Sequence, residues 1–148
     1  MRELKFRAWD KENVEMVYSD KKQDEYWFNL DTGVARCCVE YTTYDSCGDE
    51  YIDYDDLGNI MQYTGLKDKN GIEIYEGDIV KLKPHHKEKE RDLLNFLIED
   101  AHYKIEYINA SFALINTITL EIDSYLGDYG ENALEVTGNV YEDKDLLK

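Results

Sequence analysis

Hydrophobic and polar residues alternate in short runs along most of this chain, the period of strands with one buried face, and turn-forming residues separate the runs. The first run is Leu4 to Trp9, with Leu4, Phe6 and Ala8 on one face and Lys5, Arg7 and Trp9 on the other, which predicts a half-buried strand. Asp10 to Asn13 (DKEN) is turn chemistry leading into Val14 to Tyr18, so the first eighteen residues read as a hairpin. A second hairpin is predicted from YWFNL and VARCCVEY, Tyr26 to Tyr41, around a turn at Asp31–Thr32–Gly33, with Cys37 and Cys38 alternating to opposite sheet faces. Thr42 to Asn59 is acidic and rich in Tyr, and suits an extended surface loop or an edge strand that its charge keeps from aggregating.

Past Asn59 the punctuation sharpens. Met61 to Tyr63 reads as a short strand, and Asp68–Lys69–Asn70–Gly71 is a tight turn because Asn and Gly accept positive φ. A turn at Glu76–Gly77–Asp78 feeds a strand at Ile79 to Leu82, which Pro84 ends. The pattern then changes period. In Lys87 to His102 the residues Leu94, Leu97, Ile98 and Ala101 form a helical stripe with charges on the other side, predicting an amphipathic helix laid on a sheet. Lys104 to Ile122 reads as a hairpin turning near Asn109–Ala110–Ser111, Asp123 to Asn132 as a Gly-rich loop, Leu134 to Tyr141 as a final strand, and the tail EDKDLL as a short capping helix. The expected fold is mainly β, in one domain over residues 1–148, with one inserted helix and a short C-terminal helical cap.

Composition narrows the function classes. Hydrophobic residues make up 43% of the 148 residues and aromatics are abundant, so the chain can build a core. Thirty-three acids against seventeen bases give a formal charge of −16, a surface that repels phosphate backbones and anionic lipid headgroups. Direct nucleic-acid binding and membrane association are therefore not expected. The N-terminal residues are charged where a secretory signal has an apolar core, and no apolar run is long enough to span a bilayer, so the expected location is cytoplasmic. Cys37, Cys38 and Cys47 are odd in number and two are adjacent, which suits free thiols in a reducing compartment.

Candidate chemistry is thin. Cys37, Cys38, Cys47, His85, His86 and His102 are the available soft ligands, with no C-x-x-C or H-x-x-x-H pair, and no metal or cofactor is expected. Asp53 to Gly58 resembles the start of a calcium loop, but Leu57 holds the fifth position and Thr64 stands where the closing Glu belongs. There is no nucleophile elbow and no Gly-rich phosphate loop, and carboxylates are too numerous for any pair to stand out as acid and base. No catalytic residue is assigned.

Three separated blocks carry a resemblance: MRELKFRAWDKENVEMVY, MQYTGLKDKNGIEIYEGDIV and LEVTGNVYEDKDLL. They resemble the YopX family of phage and prophage proteins, with Phe6 to Asp10 at its FRAWD opening, Tyr63 to Asp78 at its central YTGLKDKNG…YEGD segment, and Gly138, Asn139 and Tyr141 at its closing GNIYE. The hairpin IEYINASFAL also resembles the family, whereas about 20–59 and 87–102 look like variable insertions. The resemblance implies a small, strongly bent β-roll of SH3-barrel type, encoded by a phage or prophage, and brings no catalytic motif to carry over.

The function expected on these grounds is a non-catalytic protein-binding or assembly module with a protein partner, the alternatives being an acidic decoy for a host DNA-binding protein and an unrecognised enzyme. Trp9, Tyr63 and Tyr75 are expected first as core or core-edge packing. The candidate partner surface combines them, if they instead form an exposed aromatic groove, with the acids Asp49, Glu50, Asp53, Asp55 and Asp56, which would attract a basic partner. The decoy requires the acids of Glu40 to Asp56 and Glu121 to Glu135 to line one face. Self-association is a further expectation, at edges where acids are sparse, such as Lys5 to Lys11 or Lys81 to Lys89.

Overall fold

The computed structural model describes residues 3–21, 26–44, 50–82, 101–129 and 133–147, with side chains described outside 37–56. The described chain is mainly β with few helical turns, and it divides into two compact units, Glu3–Gln62 and Tyr63–Lys148.

In the first unit β1 (Phe6–Asp10) and β2 (Glu15–Tyr18) form the predicted hairpin, with Ala8 opposite Val17 and Asp10 opposite Glu15. The Asp10 carboxylate closes the turn by accepting the N–H groups of Glu12 and Asn13 at 2.9 and 3.0 Å. On its other edge β1 meets the start of β6 (Met61–Lys67), Phe6 opposite Gln62 and Arg7 opposite Met61. A three-stranded antiparallel sheet follows, in the order β3 (Tyr26–Asn29), β4 (Val34–Tyr44), β5 (Glu50–Asn59). Its first turn is built as the sequence dictates: Asn29 Oδ1 accepts from the N–H groups of Asp31 and Thr32, and Gly33 takes φ 69°. Ala8, Val17, Tyr26, Ala35 and Leu57 form this unit's apolar core.

The second unit is built on a five-stranded antiparallel sheet in the order β11-β10-β9-β8-β12. These strands are β8 (Asp78–Leu82), β9 (His102–Ile108), β10 (Ser111–Asn116), β11 (Ile122–Tyr125) and β12 (Leu134–Asn139). Within this unit β6 pairs with β7 (Glu73–Tyr75), Tyr63 opposite Tyr75. The turn between β9 and β10 places both Asn109 and Ala110 at positive φ, 52° and 61°, the mirror-image geometry that matches the twist of a hairpin. Ile74, Val80, Tyr103, Ile105, Phe112, Leu114, Leu126 and Leu134 make the core. The described residues of the unit also include 3-10 turns at Leu126–Asp128 and Lys144–Leu147, the second lying in the tail.

Two expectations change, one is decided between its two readings, and one falls mostly outside the described residues. The first strand begins at Phe6, leaving Leu4 exposed, and it is buried on both faces because Arg7 and Trp9 are covered as well as Ala8. Of the two readings of Thr42 to Asn59, the edge strand is the one seen at both its described ends, with β5 last in its sheet. Asp123 to Asn132 begins not as a loop but inside β11, where a register shift opposite Leu114/Ile115 hides the period-two signal. Most of the predicted helix Lys87 to His102, with Pro84 before it, lies outside the described residues; its last residue, His102, opens β9.

Gly138 marks the tightest packing around β12. A Cβ there would sit 2.3 Å from a carboxylate oxygen of Asp143 and 2.9 Å from the Asp143 Cβ, and that same carboxylate accepts the Asn139 N–H at 3.0 Å. Gly138→Ala must displace Asp143 and weaken this bond, so it is expected to destabilise the protein by about 1–3 kcal/mol. Gly127→Ala, with nothing within 4 Å of the new methyl group, should stay within about 0.5 kcal/mol of the parent. Denaturant midpoints of the two variants check the contrast, and equal shifts would contradict it.

Candidate functional site

Trp9, Tyr63 and Tyr75 belong to the interior, at 9%, 5% and 2% exposure. Tyr63 and Tyr75 face each other across β6 and β7 with ring centroids 5.3 Å apart, and the Tyr75 hydroxyl donates to Glu73 at 2.9 Å. Of the two readings of these rings, core packing is the one seen and the exposed groove is not: large rings on short strands supply the apolar area that small sheets need to close. Glu50, Asp53, Asp55 and Asp56 all fall on β5, with Asp55 opposite Cys37 and Asp56 opposite Arg36, while their side chains and the whole of Asp49 lie outside the described residues. The Asp53 to Gly58 stretch is thus strand, not an ion-binding loop. Cys37 and Cys38 lie on β4 with side chains outside the described set, as are Cys47, His85 and His86 entirely. Among the described residues no group of three His, Cys, Asp or Glu could hold a metal ion, and no helix is long and apolar enough to cross a membrane.

The polar residues that are buried form a different constellation, and three of its carboxylates sit in turns. Asp68 opens the turn between β6 and β7: one of its carboxylate oxygens accepts the N–H groups of Asn70 and Ile72 at 2.7 and 2.9 Å, and the other accepts that of Val136 on β12 at 3.2 Å. Gly71, at φ 82°, completes that turn. One side chain therefore fixes a local loop and joins it to a strand distant in sequence. Asp78 accepts the Tyr75 N–H at 2.7 Å, which closes the turn at Gly77. Asn139 Oδ1 accepts from Tyr141 and Glu142 at 3.0 and 3.1 Å. In the first unit Asp10 adds to its two backbone bonds a side-chain bond from Asn13 at 3.0 Å and one from the Tyr26 hydroxyl at 3.5 Å.

Burial pushes the Asp68 carboxyl up, but the N–H groups of Ile72, Val136 and Asn70 together outweigh it and hold the group below the ordinary carboxylate value. Asp10 is held below that value in the same way: burial opposes it, and the bonds from Asn13, Glu12 and Tyr26 prevail. The sequence marks these positions only as turn formers; that they are buried hubs follows from what packs over the turns.

Large apolar side chains are exposed at Leu4, Val14, Trp27, Leu30, Ile72 and Tyr107, and four more follow one another along a single short stretch of the chain. Ile118, Leu120, Ile122 and Tyr125 are 72%, 76%, 44% and 37% exposed, and all lie on β11 or the turn before it. Sequence reading passed over them because a Thr-rich turn and an Asp-Ser pair interrupt the hydrophobic pattern.

The fold and this constellation define a mainly β protein whose buried acids hold turns together. The family model described as YopX protein matches residues 5–148, and the chain belongs to the YopX family. Two solved structures are similar over almost the whole chain. Protein EF1440 from Enterococcus faecalis shares 27% identity with a TM-score of 0.57, covering 100% of both chains. Protein yopX from Bacillus subtilis shares 18% identity with a TM-score of 0.52, covering 97% of this chain and 95% of its own, a likeness of fold. No curated protein matches.

The lowered ionisation of Asp68 sets the sign of a pH effect. Because its folded-state value lies below the unfolded one, its contribution is fully present above the ordinary carboxylate value, about 3.9, and is lost as pH falls through the lower folded value. Asp68→Ala is expected to cost about 3 kcal/mol at neutral pH, because three N–H groups lose a charged acceptor. Asp68→Asn should cost less and flatten the fall in stability at acid pH. Urea midpoints measured from neutral to strongly acid pH check both; an unchanged acid slope in the Asn variant would contradict the assignment.

Proposed function

We propose that this chain is a non-catalytic protein-binding or assembly module, a cytoplasmic product of a phage or prophage, built on a bent β-roll of the SH3-barrel type. The observation that carries the reading is the cluster of exposed apolar side chains from Ile118 to Tyr125. Large apolar groups gathered at one strand and its turn are the usual mark of a partner surface, whereas scattered ones are not. The buried acids support the same reading, because Asp10, Asp68 and Asp78 spend their oxygens on backbone N–H groups inside the fold.

A partner held through apolar contact stays bound when charges are screened, while one held by acids is released. Debye lengths fall from about 10 Å at 0.1 M salt to about 3 Å at 1 M, so affinity capture from host lysate at both concentrations separates the two. The module reading expects a partner retained at the higher concentration. Capture that is lost on raising the salt favours instead the acidic decoy, carried by the acids of Glu40 to Asp56 and Glu121 to Glu135. No captured protein at either concentration sinks the module.

A further inference from the structure

We propose that β11, with the turn that precedes it, is a docking edge for an extended basic segment of another protein, which adds to the sheet as a further strand. The proposal rests on the protein-binding reading and says where, and by what chemistry, the partner is held. β11 ends the sheet order, and among the described strands it pairs with β10 alone. A terminal strand offers backbone groups to an incoming one, which is how extended peptides are commonly bound.

The register of β11 supplies a surface for the side chains of such a segment. Tyr125 lies opposite Ala113 and Ser124 opposite Leu114, but the shift that follows brings Ile122 opposite Ile115. Ala113 and Ile115 share a face of β10, so Ile122 and Tyr125 share that face although they are three residues apart. Regular alternation would have split them. The bulge thus gathers two exposed apolar side chains on one side of an edge strand.

The turn before β11 is held in shape from within. Asn116 Oδ1 accepts the N–H groups of Ile118 and Thr119 at 2.9 and 3.0 Å, the Leu120 N–H donates to the Asn116 carbonyl at 2.9 Å, and the Asn116 N–H donates to the Glu121 carbonyl at 3.0 Å. Leu120 sits at φ 59°, a region that favours Gly or Asn, yet it presents a large apolar side chain to solvent. Ile118 and Leu120 are therefore displayed on a pre-ordered loop beside Ile122, and little ordering remains for a partner to impose.

Charge chooses among occupants. From Ile105 to Asp143 the sequence has no Lys or Arg. Glu106 is paired with Lys104 and Glu135 with Lys69, and Glu121 and Asp128 lie on either side of β11 in a stretch of sequence without bases. A second copy docking edge to edge would set these acids against their own counterparts. A segment that alternates apolar residues with Lys or Arg meets both the apolar cluster and the acids.

The test uses the full chain, isotopically labelled for backbone amide NMR, and a short synthetic peptide alternating valine with lysine. Controls are the glutamate-for-lysine peptide and a lysine peptide N-methylated on alternate residues, which cannot complete a ladder. The lysine peptide is expected to shift amides between Ile118 and Tyr125 and on β10, and both controls to bind about tenfold more weakly or worse. Ile118→Ser with Leu120→Asn, at exposed positions and with Asn suited to the positive φ, should keep the native spectrum elsewhere and weaken the lysine peptide about tenfold. Shifts confined to other strands, equal binding of the glutamate peptide, or a dimer in sedimentation that this double variant dissolves would each overturn the docking edge. The double variant also separates the two proposals: if lysate capture at high salt is undiminished by it, the edge is wrong while the module stands.

Discussion

A polar side chain enclosed in a tight turn leaves water only if backbone N–H groups replace it, and the turns of this protein are closed by side chains that meet that condition. Asp68 is the fullest case. Its two oxygens receive three backbone N–H groups, two from its own loop and one from Val136, so the β6–β7 turn and β12 cannot shift independently. A hydrogen bond to a charged acceptor contributes about 1.5–3 kcal/mol, against about 1 kcal/mol for a neutral one, and folded domains are stable by only about 5–15 kcal/mol. A single carboxylate of this kind therefore carries a sizeable share of the stability of its unit. Asp10 does the same work on a smaller scale, tying the first turn to Tyr26 on β3.

The same constraint decides what these acids can do chemically. A general acid or base acts best with ionisation near the working pH and with room for a substrate proton. Asp10 and Asp68 are moved the other way, below the ordinary carboxylate value, by donors that already occupy their oxygens. Asp10 and Asp68, which are among the most buried carboxylates of the described residues, are thus poorly placed for proton transfer.

What could be read from sequence was what local chemistry decides. DKEN, Asp31–Thr32–Gly33, Asp68 to Gly71 and Asn109–Ala110 are turns because side chains a few residues away cap them or because Gly and Asn accept positive φ, and the structure uses each in that way. The mainly β class followed from the same punctuation. What could not be read depends on what packs where. Arg7 and Trp9 look like the outer face of a strand, but alternation cannot tell a solvated face from one covered by the rest of the chain. Tyr63 and Tyr75 are equally suited by composition to a groove or a core. β11 escaped because its bulge puts two apolar residues out of period, and the exposed cluster escaped with it.

The separation between scaffold and surface has a further consequence. The blocks that carry the family likeness, at 1–18, 61–80 and 134–147, hold the capping residues Asp10, Asp68, Asp78 and Asn139, while Ile118, Leu120, Ile122 and Tyr125 fall outside all three. Removing a cap leaves buried N–H groups without an acceptor and is felt by the whole unit, whereas replacing an exposed side chain is usually worth less than about 0.5 kcal/mol. Folding therefore restricts the first set and leaves the second open. Two chains at 27% or 18% identity can consequently share turns and sheet order while presenting different residues at the sheet edge. Likeness of fold speaks to where β11 lies, but the chemistry of any partner has to be read from the side chains that this chain places there.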